Sequence, residues 1–203
     1  MGRYERQESL NINREQAVAV IGVGGVGSWV VEFLCLAGVQ RLELYDGDTV
    51  SDHNLNRLPL PPSTVGQLKT QALADALRGR DTEIVAHLKF DPEILLEPLI
   101  CDWIVCCTDS LASRRMIWKY AKDNGIKYME VGADGDGWTV TYQPPDRSTG
   151  EPDVYRQVPI HIAPCAMAAS VAVMYVLKDK VPAHTICGGW DDSEGVIFTR
   201  FHV

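Results

Sequence analysis

The residue types best suited to chemistry gather around one stretch, Val18-Ala-Val-Ile-Gly22-Val-Gly24-Gly25-Val-Gly27-Ser28. Gly22, Gly24 and Gly27 fit G-x-G-x-x-G. The first glycine permits a tight turn, the second removes a Cβ that would meet a phosphate, and the third lets helix and strand pack closely. Alone, the pattern reads as a nucleotide site without saying which nucleotide. Asp46 follows at about the 20-residue distance at which a carboxylate meets a ribose hydroxyl; the alternative is a structural aspartate at a turn. Lys69 falls in the first turn of a helix read over residues 67–78. A cation there opposes the helix dipole unless an anion is near, although a plain surface lysine is the alternative. Asp109 comes just after an apolar strand, where open α/β sheets bind ligands, and it equally suits a helix N-cap.

These side chains need elements to hold them. Residues 17–21 read as a strand, 25–38 as a helix closed by Gly38, and 41–45 as an alternating strand. A polar loop over 49–62 contains Asp52-His-Asn54-Leu-Asn-Arg57 and ends in prolines. Beyond it come a strand at 82–88, a short helix at 92–98, a continuously apolar strand at 102–107, a helix at 114–124 and a strand at 125–131. An added strand at 138–142 precedes a long irregular loop, 143–164. An apolar helix at 165–178 and a hairpin of strands 185–187 and 196–201, joined by Gly188-Gly-Trp-Asp-Asp192, complete the chain. The alternation predicts an α/β fold: a Rossmann-like, mostly parallel central sheet with helices on both faces and added antiparallel strands toward the C-terminus. Residues 1–203 read as a single domain, with 1–16 a polar, solvated arm and 143–164 a crossover loop.

The chain has 203 residues, 46% of them hydrophobic and 23% charged, as globular domains do. Its formal net charge of -8 argues against a general nucleic-acid or anionic-membrane surface while leaving room for a local phosphate site. No apolar run reaches transmembrane length and no basic-then-apolar leader opens the chain, so a soluble, cytoplasmic protein is expected. None of the 6 cysteines forms a C-x-x-C pair, so neither structural zinc nor disulfides are expected.

Arg3-Tyr-Glu-Arg6-Gln7, Gly22-Val-Gly-Gly-Val-Gly-Ser28, Asp46-Gly-Asp48-Thr-Val50, Asn54-Leu-Asn-Arg57, Val65-Gly-Gln-Leu-Lys69 and Thr108-Asp109 stand in an order and spacing that resemble the ThiF/MoeB/HesA family of ubiquitin-activating-type adenylating enzymes. The resemblance covers most of the first 135 residues. It implies binding of ATP and Mg²⁺ and adenylation of the C-terminal carboxylate of a small ubiquitin-like or sulfur-carrier protein, with release of pyrophosphate. By the family pattern Gly22, Gly24, Gly25 and Gly27 form the floor of the nucleotide site. Asp46, with Asp48 beside it, holds the ribose. Asn54, Arg57 and Lys69 contact the phosphates, and Asp109 holds Mg²⁺. Arg6 reaches into a partner subunit's site, which implies a homodimer. The chemistry is coherent, because two anions must meet and neither a protein nucleophile nor a general base is needed.

The departures from the family concern the arm and the sulfur chemistry. The linker between Gln7 and the first strand is short, and the zinc-binding cysteine pairs of many members are missing. The crossover loop contains no cysteine. Cys165 is nearest, placed after Pro164 at a helix N-terminus that favours a thiolate; a core position is the preferred alternative, and Cys187 is the second candidate. Adenylation without a thioester step is the expectation. His161 and Cys165, four apart, supply only two ligands and do not make a metal site. Three other readings compete: an NAD-dependent oxidoreductase, a non-catalytic subunit that dimerises with an active adenylating partner, and an enzyme activating a small-molecule or RNA-borne carboxylate.

Overall fold

A computed structural model describes residues 2–93, 98–145 and 159–201. Eight strands form one sheet in the order β3-β2-β1-β4-β5-β6-β7-β8. They are β1 (Ala17–Ile21), β2 (Arg41–Tyr45), β3 (Glu83–His87), β4 (Trp103–Cys106), β5 (Lys127–Asp134), β6 (Gly137–Thr141), β7 (Thr185–Asp191) and β8 (Gly195–Phe201). β3 through β5 pair in parallel, and β6, β7 and β8 add antiparallel. The helices are α1 (Gly25–Ala37), α2 (Lys69–Ala76), α3 (Leu111–Asp123) and α4 (Ile162–Leu177). This is the mostly parallel, Rossmann-like sheet that the sequence predicts, with its antiparallel addition toward the C-terminus.

β1 and β4 are apolar throughout because both of their faces are covered. Val18, Val20, Leu42, Leu44, Trp103 and Val105 point to the side packed by α1, α2 and α4. Ala19, Ile21, Tyr45, Ile104 and Cys106 point to the side packed by Ile117 and Ala121 of α3. α4 approaches α1 closely through a run of small residues: Ala168, Ala169 and Ala172 are fully buried.

Several boundaries differ from the sequence reading. α3 begins at Leu111 because Ser110 caps it, its hydroxyl accepting from the Ser113 N–H at 3.3 Å. α4 begins at Ile162, with His161 as N-cap accepting from Ala163 N–H. The hairpin glycines are not the turn. Gly188 and Gly189 lie inside β7, where a Cβ on Gly188 would stand 2.6 Å from the Trp138 ring and one on Gly189 would stand 2.9 Å from the Asp136 carbonyl. The turn lies between Asp191 and Gly195, and the Asp191 carboxylate gathers the Ser193 and Glu194 N–H groups. Most of the short helix read at 92–98, and most of the loop read over 143–164, lie outside the described residues.

The polar arm is ordered against the body. Glu5–Leu10 form a 3-10 helix with no buried residue. The Tyr4 ring covers Gly38, whose Cβ would stand 2.5 Å from it, and the Arg14 guanidinium stacks 4.4 Å from the Tyr4 centroid. Arg3 pairs with Asp81 at 2.9 Å, and Asn13 N–H donates to the Leu177 carbonyl. Gly38, Asp81 and Leu177 all lie at the end of the sheet where the parallel strands begin.

Candidate active site

The strand order reverses between β1 and β4, and the two loops leaving those strands line the crevice. Gly22 has φ +86, and a Cβ there would meet the Cys107 carbonyl and Thr108 N at 2.9–3.0 Å. Gly27 is required more strictly still, since its Cβ would lie 1.9 Å from the Gly22 oxygen. Gly24 has no protein atom within 4 Å of its absent Cβ. The second glycine thus keeps open space over the turn, which is where a phosphate needs it. Gly25 faces the Arg57 stem at 3.0 Å and the Cys165 Sγ at 3.1 Å.

Asp46 follows directly after β2. Its carboxylate accepts from the N–H of Val23 and of Asp48, both at 2.9 Å, which ties it to the glycine turn. Burial pushes its carboxyl above the usual range, and the neighbouring Lys69 ammonium opposes that shift. Lys69 opens α2, and its Nζ lies 2.7 Å from Asp48 Oδ2 and 3.9 Å from Asp46 Oδ1. The anion that a cation at a helix N-terminus calls for is therefore a pair of the chain's own carboxylates. Lys69 and Asp46 side chains are 11% and 10% exposed, so this is a largely dehydrated charge cluster; Asp48, at 74%, is its open side.

The loop after β2 brings in Arg57. Its carbonyl accepts from Trp29 Nε1 of α1 at 2.8 Å, and its Nη1 donates to the His53 carbonyl and to Asn56 Oδ1. Asn54 is buried, and its side-chain oxygen accepts from Ser51 N–H in a reciprocal capping box. That oxygen is thereby committed to the loop, which leaves the amide as the part of Asn54 that a ligand can use. Asp109 is exposed, and its carboxylate has no hydrogen-bond partner among the described residues; the N-cap role falls to its neighbour Ser110. No group of three His, Cys, Asp or Glu side chains suited to a metal occurs among the described residues. A single carboxylate on the loop beside the glycine turn would suit Mg²⁺, which takes one or two protein carboxylates and completes its shell with phosphates and water.

Cys165 and Arg6 stand apart from this cluster. Cys165 is not a poised thiolate at a helix start: it lies past the first residues of α4, is fully buried, and burial raises its thiol to about 11 against the opposing pull of Arg57. The preferred core reading of Cys165 fits this. Cys187 is half-buried in β7, and burial raises its thiol as well. Arg6 sits exposed on the arm, without a polar partner among the described residues and at the opposite end of the strands from Gly22, Asp46 and Lys69. The structure therefore brings together every proposed site residue except Arg6. Behind the site stands a support that the sequence reading missed: Arg114 of α3 bonds the Thr108 carbonyl and the buried Glu130. A lone glutamate inside the apolar run Tyr128-Met-Glu-Val131 was the available signal.

Known proteins share this architecture. In a solved structure of Escherichia coli MccB with AMPCPP and MccA, the likeness has a TM-score of 0.78 over 98% of this chain and 71% of that one, at 18% identity. Among sequences, a tRNA threonylcarbamoyladenosine dehydratase of Haemophilus influenzae is 33% identical over 141 residues, covering 66% of this chain and 54% of its own length. Ubiquitin-like modifier-activating enzyme 5 of Oryza sativa is 30% identical over 153 residues, covering 67% and 36%. Molybdopterin-synthase adenylyltransferase of E. coli is 37% identical over 123 residues, covering 56% and 47%. The chain thus spans about half the length of these relatives or less. The ThiF family model matches residues 3–177, a span that takes in the arm, the glycine turn, the carboxylate–lysine cluster and α4, and the chain belongs to the ThiF family.

Proposed function

We propose that this chain adenylates the C-terminal carboxylate of a small ubiquitin-like or sulfur-carrier protein at the expense of ATP. A carboxylate oxygen forms a bond to the α-phosphorus, the bond from that phosphorus to the bridging oxygen breaks, and pyrophosphate leaves with the electron pair. No proton moves at neutral pH. Gly24 leaves room for the phosphates, Asp46 accepts from the ribose, and the Arg57 fork and Lys69 ammonium meet the triphosphate and the incoming carboxylate. Asp109 would hold Mg²⁺, which when bound supplies further neutralisation of the triphosphate. The observation that carries the reading is the buried Lys69 ammonium held beside the glycine turn by Asp46 and Asp48. The oxidoreductase reading leaves Arg57, Lys69 and Asp109 together without a role. Relatives named as an adenylyltransferase and as a ubiquitin-like modifier-activating enzyme support it.

The proposed setting is a cytoplasmic homodimer in which Arg6 of one subunit completes the site of the other. Purified chain with Mg²⁺-ATP and its acceptor is expected to exchange labelled pyrophosphate into ATP and to yield an acyl-adenylate visible by mass spectrometry. Tight NAD binding without exchange would sink the reading. A second reading, activation of an RNA-borne carboxylate, draws on the dehydratase relative named for a tRNA nucleoside. The net charge of -8 weighs against it. Exchange stimulated by tRNA but by no carrier protein would select it.

A further inference from the structure

The loop that carries Asp109 is held from three sides. Cys107 N–H donates to the Ile21 carbonyl at 2.8 Å, which fixes the loop to the end of β1. Its Cys107–Thr108 peptide packs on Gly22 so closely that a Cβ would overlap it. From behind, Arg114 Nε donates to the Thr108 carbonyl at 2.7 Å while its Nη1 reaches Glu130 Oε1 at 3.1 Å. Glu130 stands on β5 directly across from Cys106, the last residue of β4, and its side chain is 4% exposed. A carboxylate is this deeply buried only when paired. The pair links the neighbouring strand to the backbone one residue before Asp109. The Asp109 carboxylate has no hydrogen-bond partner among the described residues, so its place depends on the backbone on either side.

The geometry points to Arg114 and Glu130 as a positioning brace that sets where Asp109 meets the metal. This rests on the proposed reading of Asp109 as the Mg²⁺-holding carboxylate. Neither member of the pair touches substrate: Glu130 orients the guanidinium, the guanidinium fixes the Thr108 carbonyl, and the loop then presents Asp109 at a set distance from the glycine turn. A lysine in place of Arg114 has no fork with which to bridge two acceptors. A glutamine in place of Glu130 keeps the shape and an acceptor but loses the charge that aligns the fork.

The test is metal binding by the full-length protein carrying a non-hydrolysable ATP analogue, with Mn²⁺ as the probe and its free concentration read by electron paramagnetic resonance. Arg114→Lys and Glu130→Gln are each expected to weaken Mn²⁺ by about 10-fold, the scale seen when groups supporting a metal ligand are removed. Metal-free binding of the analogue should stay at the parent value. Thermal unfolding identifies folded variants, and Glu130→Gln carries the test if Arg114→Lys does not fold. Asp109→Asn is the reference. If it leaves Mn²⁺ affinity intact, the assignment of Asp109 is wrong and the brace falls with it. If Asp109→Asn weakens Mn²⁺ but the two brace variants bind like the parent, only the brace is overturned. Equal loss of metal and of metal-free analogue would mark a general loosening and also overturn it.

Discussion

Arg57 is seated by its backbone rather than by its charge. Trp29 of α1 holds its carbonyl, Gly25 lets its stem lie against the turn, and its guanidinium rests on a loop carbonyl and Asn56. Those acceptors are neutral, so an anionic ligand competes well for the fork. Arg57→Ala should lower the rate of pyrophosphate exchange by about 10²–10³-fold, the cost of losing one preorganised charge-stabilising donor. Unchanged turnover would remove Arg57 from the site. Much at this scale was legible from residue types alone, because glycine spacing, a strand-end carboxylate and a lysine at a helix start each carry a physical reason. What was not legible was the company they keep. The bond from Ser51 N–H to the Asn54 side chain is local, yet it depends on a 3-10 turn that no periodicity announces.

At the scale of elements, β1, α1 and β2 were readable because an apolar run ending in glycines, a period of near four closed by a glycine, and a period of two succeed one another without ambiguity. β7 was not. Its two glycines look like turn signals, whereas they are there to let the strand lie flat against Trp138 and Asp136. The end of α4 is secured by Asp179, in left-handed backbone at φ 51, which accepts from Trp103 Nε1 at 3.1 Å and from Lys127 Nζ. The hydrogen bond from the Lys127 ammonium holds its carboxyl below the usual range. Such a group stabilises the fold above its unfolded pKa of about 4, and that contribution is lost as pH falls through the lower folded value. Asparagine tolerates the same backbone. Asp179→Asn should therefore cost no more than about 1 kcal/mol at pH 7, given the partial exposure of the pair. The gap between variant and parent in urea midpoint should close as the pH drops below about 4. A gap that stays constant across that range would assign the effect to shape and not to charge.

For the whole molecule, the decisive fact is that the arm and the nucleotide site lie at opposite ends of the parallel strands. Within one chain Arg6 cannot serve the site that Lys69 serves. The sequence placed Arg6 in an arm but gave no sign that Tyr4, Arg14 and Arg3 dock that arm onto Gly38 and Asp81, because those contacts join segments distant in sequence through side chains with many other uses. If Arg6 acts in trans, subunits carrying Arg6→Ala and subunits carrying Lys69→Ala, each inactive alone, should regain exchange activity on mixing, since one composite site in the mixed dimer is intact. Mixed dimers verified by native mass spectrometry that show no recovery would sink the trans assignment.

The ion pairs of Lys69 with Asp48 and Asp46 bear on how a nucleotide would be admitted and let go. Lys69 already has its own counter-ions, so a triphosphate does not meet a bare cation. It has to take the ammonium from a carboxylate, and the binding free energy is the difference between two ion pairs rather than the strength of one. The exposed Asp48 is the partner free to turn into water, while Asp46 stays fixed to the glycine turn. In the proposed reaction, Asp48 would return and reclaim the lysine as pyrophosphate departs, a competitor built into the chain that works against retention of that product.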